Sequence, residues 1–237
     1  MTSGSEHVRE LVARTRYVLF GFDGPICQLF SRRPAEAVAR AQEEWLRERG
    51  LYAALTEEER GRGDPYDTLV AVAGRQPGSE LVAELEERLT RFELQASRTA
   101  LPTAYADPLI HTWAAVGAKL AIATGHSART VTSYLDSRGL TPRFAPHIYG
   151  RSPDLGPPDP RPAILERALN GMEAVPEASL MIGCTPADHA AAHRAGVPFL
   201  GYARNDVRAS LLREAGVPPR LVVASLEPLL RVLRERS

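Results

Sequence analysis

The chain has 237 residues, 29 of them basic and 29 acidic, so its formal net charge is zero. That length carries one large domain, or a core domain plus an insert, and buries a sizeable core. Charge balance leaves no basic field for nucleic acid, no apolar run approaches a membrane span, and the polar N-terminus is not a secretory signal, so a cytoplasmic protein is expected.

Tyr17-Val18-Leu19 is an apolar run that passes into Phe20-Gly21-Phe22-Asp23-Gly24-Pro25, as a buried strand entering a turn does. Residues 34–49 place Val38, Ala41, Trp45 and Leu46 on one helical face, with Gly50 as a stop. Thr56 to Glu59 has the form of a capping box and predicts a second helix start, broken at Gly61-Arg62-Gly63-Asp64-Pro65. Ser79 opens another predicted helix, with Val82, Leu85, Leu89 and Phe92 in register. No strand signal lies between residues 31 and 105, so this block reads as a helical insert. After it the pattern alternates. Helices are predicted over Ile110–Val116, Ser127–Arg138, Pro160–Leu169, Pro186–Ala195, Val207–Ala215 and Ser225–Arg234, the last with Ser225 as N-cap. Strands are predicted at Lys119–Ala123, Ile148–Tyr149, Leu180–Ile182, Val197–Tyr202 and Leu221–Val223, and Gly150–Pro162 reads as a loop. Such alternation predicts an α/β fold, a parallel sheet covered on both faces. Ligands bind beyond the carboxyl ends of such strands. The residues that matter are therefore Gly21–Gly24, Thr124–Ser127 and Gly183–Asp188.

Four segments in order resemble the haloacid dehalogenase-like (HAD) hydrolases, over roughly residues 17–233. Phe20-Gly21-Phe22-Asp23-Gly24 looks like the family's Asp-x-Asp-Gly loop. Ile122-Ala123-Thr124-Gly125 looks like its strand ending in Thr or Ser. Gly156-Pro157-Pro158-Asp159-Pro160 looks like its Lys-Pro-Asp-Pro loop. Ile182-Gly183-Cys184-Thr185-Pro186-Ala187-Asp188 looks like its Gly-Asp-Ser-x-x-Asp segment. The resemblance implies a Rossmann-like core over 1–30 and 106–237 with a helical cap at 31–105. It also implies a phosphatase chemistry. The first acid attacks phosphorus and forms an aspartyl-phosphate. The second protonates the leaving group and then activates water. The Thr or Ser hydroxyl holds the phosphoryl oxygens, the lysine neutralises charge, and Mg²⁺ sits on the acids and on the second acid's carbonyl.

The chain departs from that pattern at three places. Gly21 stands at the nucleophile position, Pro157 at the lysine position and Cys184 at the first metal acid. The only lysine is Lys119, at the wrong end of its strand, and Arg151 or Arg161 would have to substitute. What remains is Asp23 at the acid/base position, Thr124, Gly125 and Gly24 for ligand binding, and Asp188 as a weak metal acid. Losing nucleophile, cation and metal ligand together removes the mechanism. The expectation is therefore a degenerate phosphatase site that needs no cofactor, with Mg²⁺ only if residual activity exists. It would bind a small ligand, phosphorylated or not, or a protein partner, or use Asp23 in acid/base chemistry without a phosphoenzyme. The competing reading is a working Mg²⁺-dependent phosphatase with substituted residues.

Blander readings stand beside these. Asp23-Gly24 is also common turn chemistry, and Asp188 also suits a helix start. A shifted register makes Asp23 the nucleophile, but then Pro25 fills the acid/base position. His189 and His193, four apart, have zinc spacing without a clear third ligand. Cys27 and Cys184 belong near neighbouring loops, so a disulfide is conceivable, with two free thiols expected. Gly125-His126-Ser127 after a strand resembles the nucleophile elbow of α/β-hydrolases, which makes Ser127 a candidate serine nucleophile, although Arg129 replaces the elbow's last glycine.

Overall fold

The computed structural model describes residues 2–32, 34–151 and 161–235. Six parallel strands form one sheet in the order β5-β4-β1-β6-β7-β8. They are β1 (Tyr17–Phe20), β4 (Lys119–Ser127), β5 (Ile148–Arg151), β6 (Ser179–Gly183), β7 (Phe199–Tyr202) and β8 (Val222–Val223). The remaining two strands, β2 (Cys27–Gln28) and β3 (Leu101–Pro102), pair with each other antiparallel.

Alternation along the strands divides the core. Val18, Phe20, Leu120, Ile122, Leu180 and Ile182 point to one face. There they meet α1 (Thr2–Arg14), α5 (Ala106–Ala115), α6 (Ala128–Ser137), α7 (Thr141–Phe144) and α11 (Glu227–Arg234). Leu19, Ala121, Ala123 and Met181 point to the other, under α8 (Arg161–Met172), α9 (Pro186–Arg194) and α10 (Asp206–Glu214). This is the Rossmann-like α/β core expected from the sequence. The block after β2 is helical: α2 (Ala35–Glu48), α3 (Pro65–Arg75) and α4 (Glu80–Ser97). These three helices bury a separate cluster that includes Val38, Leu46, Leu69, Val72, Leu85 and Leu89. β2 leads out to them and β3 leads back, so the pair stitches together the two chain crossings. No described helix is long and apolar enough to cross a membrane.

Several local expectations change. The helix start at Thr56 is a turn. The Thr56 N–H does donate to Glu59 Oε2 at 2.9 Å, but Glu59 also pairs with Arg75, and no helix follows. Gly61 and Gly63 take positive φ (71° and 76°) and swing the chain to Asp64, whose carboxylate caps α3 by accepting from the Tyr66 N–H at 2.8 Å. Asp64-Pro65 is thus a helix start, with an Asp N-cap and Pro at the first position, where the sequence reading saw a break. β3 interrupts a block expected to lack strands. It is two residues long, too short for a periodic signal. The first helix, α1, was not anticipated; Val8 and Val12 are its buried stripe. The last helix begins at Glu227, and Ser225 Oγ accepts from the Glu227 N–H at 3.1 Å just ahead of it.

Phe20, fully buried, meets Trp113 and Phe144 edge-on, each at 6.0 Å between ring centres. Phe20→Ala is expected to lower unfolding stability by about 3–5 kcal/mol, measured by urea denaturation.

Candidate functional site

β4, β1 and β6 are neighbours in the middle of the sheet, and their carboxyl ends deliver Thr124–His126, Gly21–Asp23 and Cys184–Asp188 to one place. The register of β4 against β5 slips just there. Ala123 pairs with Tyr149 and Ser127 with Arg151, so β4 carries two extra residues between them. A bulge of this kind turns side chains out of the ladder, and it sets Thr124, Gly125 and His126 in the wall of a cavity of about 130 Å³. Asp64 and Tyr66 at the start of α3 close the cavity from the helical layer. The Tyr66 ring lies over Gly125, where an added Cβ would come within 3.0 Å of it.

The acid loop is tightly organised. Asp23, partly buried, accepts the Leu29 N–H on Oδ1 at 2.9 Å, so its carboxylate both braces the loop and lines the cavity. Its backbone carbonyl accepts the Cys184 thiol at 3.1 Å. Burial, and after it the charges of Asp188 and Asp23, push the Cys184 thiol well above its usual range, so it keeps the proton it donates. Gly24 turns the chain at φ +103°, and a Cβ there would lie 2.7 Å from the same sulfur. Gly21 is different. A Cβ there would meet nothing closer than 3.6 Å, and its φ lies outside the left-handed region. Neither backbone nor space demands glycine at that position.

Asp188 is held as a cap. Its Oδ2 accepts from the Cys184 and Thr185 N–H groups, both at 3.0 Å, and its own N–H donates to Thr185 Oγ1 at 3.1 Å, completing the capping box of α9. Thr124, 8% exposed, accepts the His126 N–H on Oγ1 at 3.3 Å.

A buried polar cluster joins α4 to the sheet. The Arg151 side chain, wholly buried, donates to Glu86 at 3.2 Å, to Glu93 at 2.9 Å, to Thr90 at 2.9 Å and to the Gly125 carbonyl at 2.9 Å. Glu93 Oε2 also accepts the Ser127 N–H at 2.9 Å, and Oε1 lies 3.0 Å from His126 Nδ1. Burial alone would raise the Glu93 pKa, but the charges of Arg151 and His126 override it and hold the carboxyl at about 2. Burial likewise works against His126 charge, yet Glu93, by charge and hydrogen bond, and Asp23 bring its pKa above the ordinary value. Arg151 therefore spends its donors on α4 and the Gly125 carbonyl, and it does not line the cavity.

Of the residues expected from the sequence, Gly21, Asp23, Thr124, Gly125, Cys184 and Asp188 all line the one cavity, with Gly24 in contact behind Cys184. Arg161 lines it too, with its guanidinium 5.0 Å from the Tyr66 ring centre and 3.7 Å from Asp67. Pro157 lies outside the described residues. Ser127 is not brought in. It is 3% exposed, takes an unstrained φ −60°, ψ 134°, and does not line the cavity, so the nucleophile-elbow geometry is absent. His189 and His193 sit 6.3 Å apart on α9, and no three His, Cys, Asp or Glu among the described residues gather as a metal site. Cys27 and Cys184 are free thiols. The sequence reading missed Asp64 and Tyr66, which the Asp-Pro helix start could have flagged. It missed Arg208, which also lines the cavity, and the pairing of Glu93 with His126, which lie far apart in the chain and leave no local signal.

The donor set does not suit Mg²⁺, a hard ion that wants several free oxygens. Gly21 has no side-chain oxygen, Cys184 offers a protonated soft sulfur, the Asp23 carbonyl already accepts that thiol, and Asp188 Oδ2 is taken by two N–H groups.

The haloacid dehalogenase-like hydrolase family matches residues 18–202. The chain belongs to that family. Solved structures share the fold at low identity. A predicted phosphatase from Clostridium acetobutylicum has a TM-score of 0.68 at 19% identity, covering 93% of this chain and 99% of its own. A haloacid dehalogenase-like family hydrolase from Streptococcus pneumoniae has a TM-score of 0.61 at 17% identity, covering 95% and 100%. The L-2-haloacid dehalogenase of Xanthobacter autotrophicus has a TM-score of 0.60 at 16% identity, covering 94% and 100%. No curated protein matches the chain.

Removing one partner of a buried ion cluster strands the others. Arg151→Met is expected to cost about 3–5 kcal/mol in urea denaturation. The Glu93 pKa falls from 4.5 to about 2 on folding, so its contribution is complete above 4.5 and is lost as pH falls through about 2. Glu93→Gln should flatten that acid limb of the stability–pH curve. Gly21→Ala should leave stability within about 0.5 kcal/mol of wild type.

Proposed function

We propose that the chain is a haloacid dehalogenase-like protein that has given up aspartyl-phosphate turnover and binds a small phosphorylated anion. One observation carries this reading: the Cys184 thiol donates to the Asp23 carbonyl, at the place where the family resemblance puts the metal. Sulfur closes that corner from inside the protein. Beside it Gly21 leaves the nucleophile's volume empty, and the cavity has room for a compact group only.

Anion binding does not need the lost residues. Arg161 and Arg208 line the cavity from α8 and α10, and Thr124 contributes a hydroxyl. Guanidinium groups suit phosphate by charge and by the geometry of their donors. The Asp23 carboxylate is braced by Leu29 and remains in the wall, where it would orient the ligand's hydroxyl or ester side. The domain division fits the same reading, with 31–105 as a cap over a core of 1–30 and 106–237.

The test is hydrolysis of a broad panel of phosphate esters by purified wild type, Asp23→Asn and Gly21→Asp, each with and without Mg²⁺. Wild type is expected to match Asp23→Asn throughout, and Mg²⁺ to leave the thermal midpoint unchanged. Mg²⁺-dependent turnover by wild type that disappears in Asp23→Asn would overturn the proposal and restore the reading as an active phosphatase.

A further inference from the structure

His126 is the one titratable side chain among the described residues that belongs both to the buried ion cluster and to the cavity wall. Its side chain is 20% exposed, and its ring is gripped on one edge only. Nδ1 faces Glu93 Oε1 at 3.0 Å, while Nε2 has no hydrogen-bond partner among the described residues. The ring is further fixed by Phe22, edge-on at 6.0 Å, and by Phe30 at 6.1 Å. The tautomer follows from the partner. A carboxylate only accepts, so Nδ1 must carry a hydrogen in either charge state. Gain of a proton therefore happens at Nε2. Neutral His126 presents a lone pair on that nitrogen. Charged His126 presents an N–H donor and a positive charge.

We infer that His126, clasped by Glu93, is a protonation-gated anion donor of this cavity, taking a tetrahedral dianion of the phosphate or sulfate class through Nε2–H and holding it more weakly when neutral. The inference rests on the cavity being the anion site proposed above, and it assigns that site a specificity element and a pH dependence.

The charged groups around the ring decide how readily it takes the second proton. Glu93 approaches from α4 and Asp23 from the loop after β1, and both favour the imidazolium. Arg151 from β5 opposes it, and burial opposes it more, but the net pKa is above the ordinary value. Asp64 at the head of α3 and Asp188 at the head of α9 share the wall, as do Arg161 and Arg208. Three carboxylates against two arginines leave the wall one charge negative while His126 is neutral and balanced when it is charged, so this switchable cation sets how well a dianion is held. The sign follows: a raised pKa means the donor form is present at low pH and is lost as pH rises through the folded-state value.

Sulfate is the probe, because it stays a dianion throughout the neutral range whereas phosphate titrates there itself. Its affinity for the full chain would be measured by calorimetry from about pH 6 to about pH 9, at fixed ionic strength, for wild type and His126→Gln. The His126 ring proton would be followed by NMR over the same range with and without sulfate. Wild-type affinity is expected to fall about tenfold across the range, the loss of one charged hydrogen bond. His126→Gln should bind at the weak, high-pH level at every pH. Bound sulfate should move the His126 midpoint upward, by reciprocal linkage. Sulfate binding that is independent of pH, or a His126 midpoint indifferent to sulfate, would overturn the gate while leaving the anion pocket standing. No sulfate binding at any pH would overturn both. The NMR readout decides the matter even if His126→Gln does not fold.

Discussion

The guanidinium of Arg151 holds this structure's functional end together. It lies on the edge strand β5, yet its partners Glu86, Thr90 and Glu93 belong to α4, and a further partner is the Gly125 carbonyl on the β4 bulge. A buried arginine is tolerable only when its donors are satisfied and its charge is met. Meeting that demand fixes three things at once. It seats the helical layer on the sheet, it holds the bulge that exposes Thr124 and His126, and it keeps Glu93 ionised at a depth where a lone carboxylate would be neutral. The cavity's shape and its electrostatics thus share one cause.

The other organising contact is smaller and works by subtraction. A thiol on the Asp23 carbonyl, a capping box that consumes Asp188 Oδ2, and a glycine at position 21 shape the pocket, and on the function proposed above they leave it the family's outline and little of its metal chemistry. The outline persists because it is made by backbone. Three adjacent strand ends, a bulge and two helix starts are set by core packing, which Gly21 and Cys184 do not disturb. Chemistry on such a scaffold is carried by a few side chains and is lost with them, while the fold continues to present whatever else lines the wall.

What the sequence disclosed follows from range. Alternating apolar strands and amphipathic helices are local patterns, and they predicted the parallel sheet, the helical insert and the strand tips where Gly21, Asp23, Thr124, Cys184 and Asp188 converge. Short elements escaped. β2 and β3 are two residues each and exist only because they find one another. Asp64-Pro65 was legible but was taken for a break, since the glycines before it suggested a loop. The pairing of Glu93 with His126 and Arg151 could not be read at all. Those residues are joined by tertiary packing, and nothing near Arg151 in the chain says that it is buried. That Asp188 caps α9 depends on where one carboxylate oxygen points, which the residue type leaves open.

The stitch of β2 to β3 has a mechanical meaning when set beside the Arg151 cluster. A rigid body fastened at one point can turn about any axis through it. Fastened at two, it keeps only the line between them. The helices α2–α4 are fastened to the core through the paired crossings after β1, through α4 at β5, and off that line by Arg161 of α8 on Asp67 of α3 and Arg129 of α6 on Glu87 of α4, so even the turn about one line is opposed. Swinging aside as a flap would tear a buried ion cluster out of its cavity. With these ties intact, Asp64 and Tyr66 stay over Gly125 at the wall of the cavity.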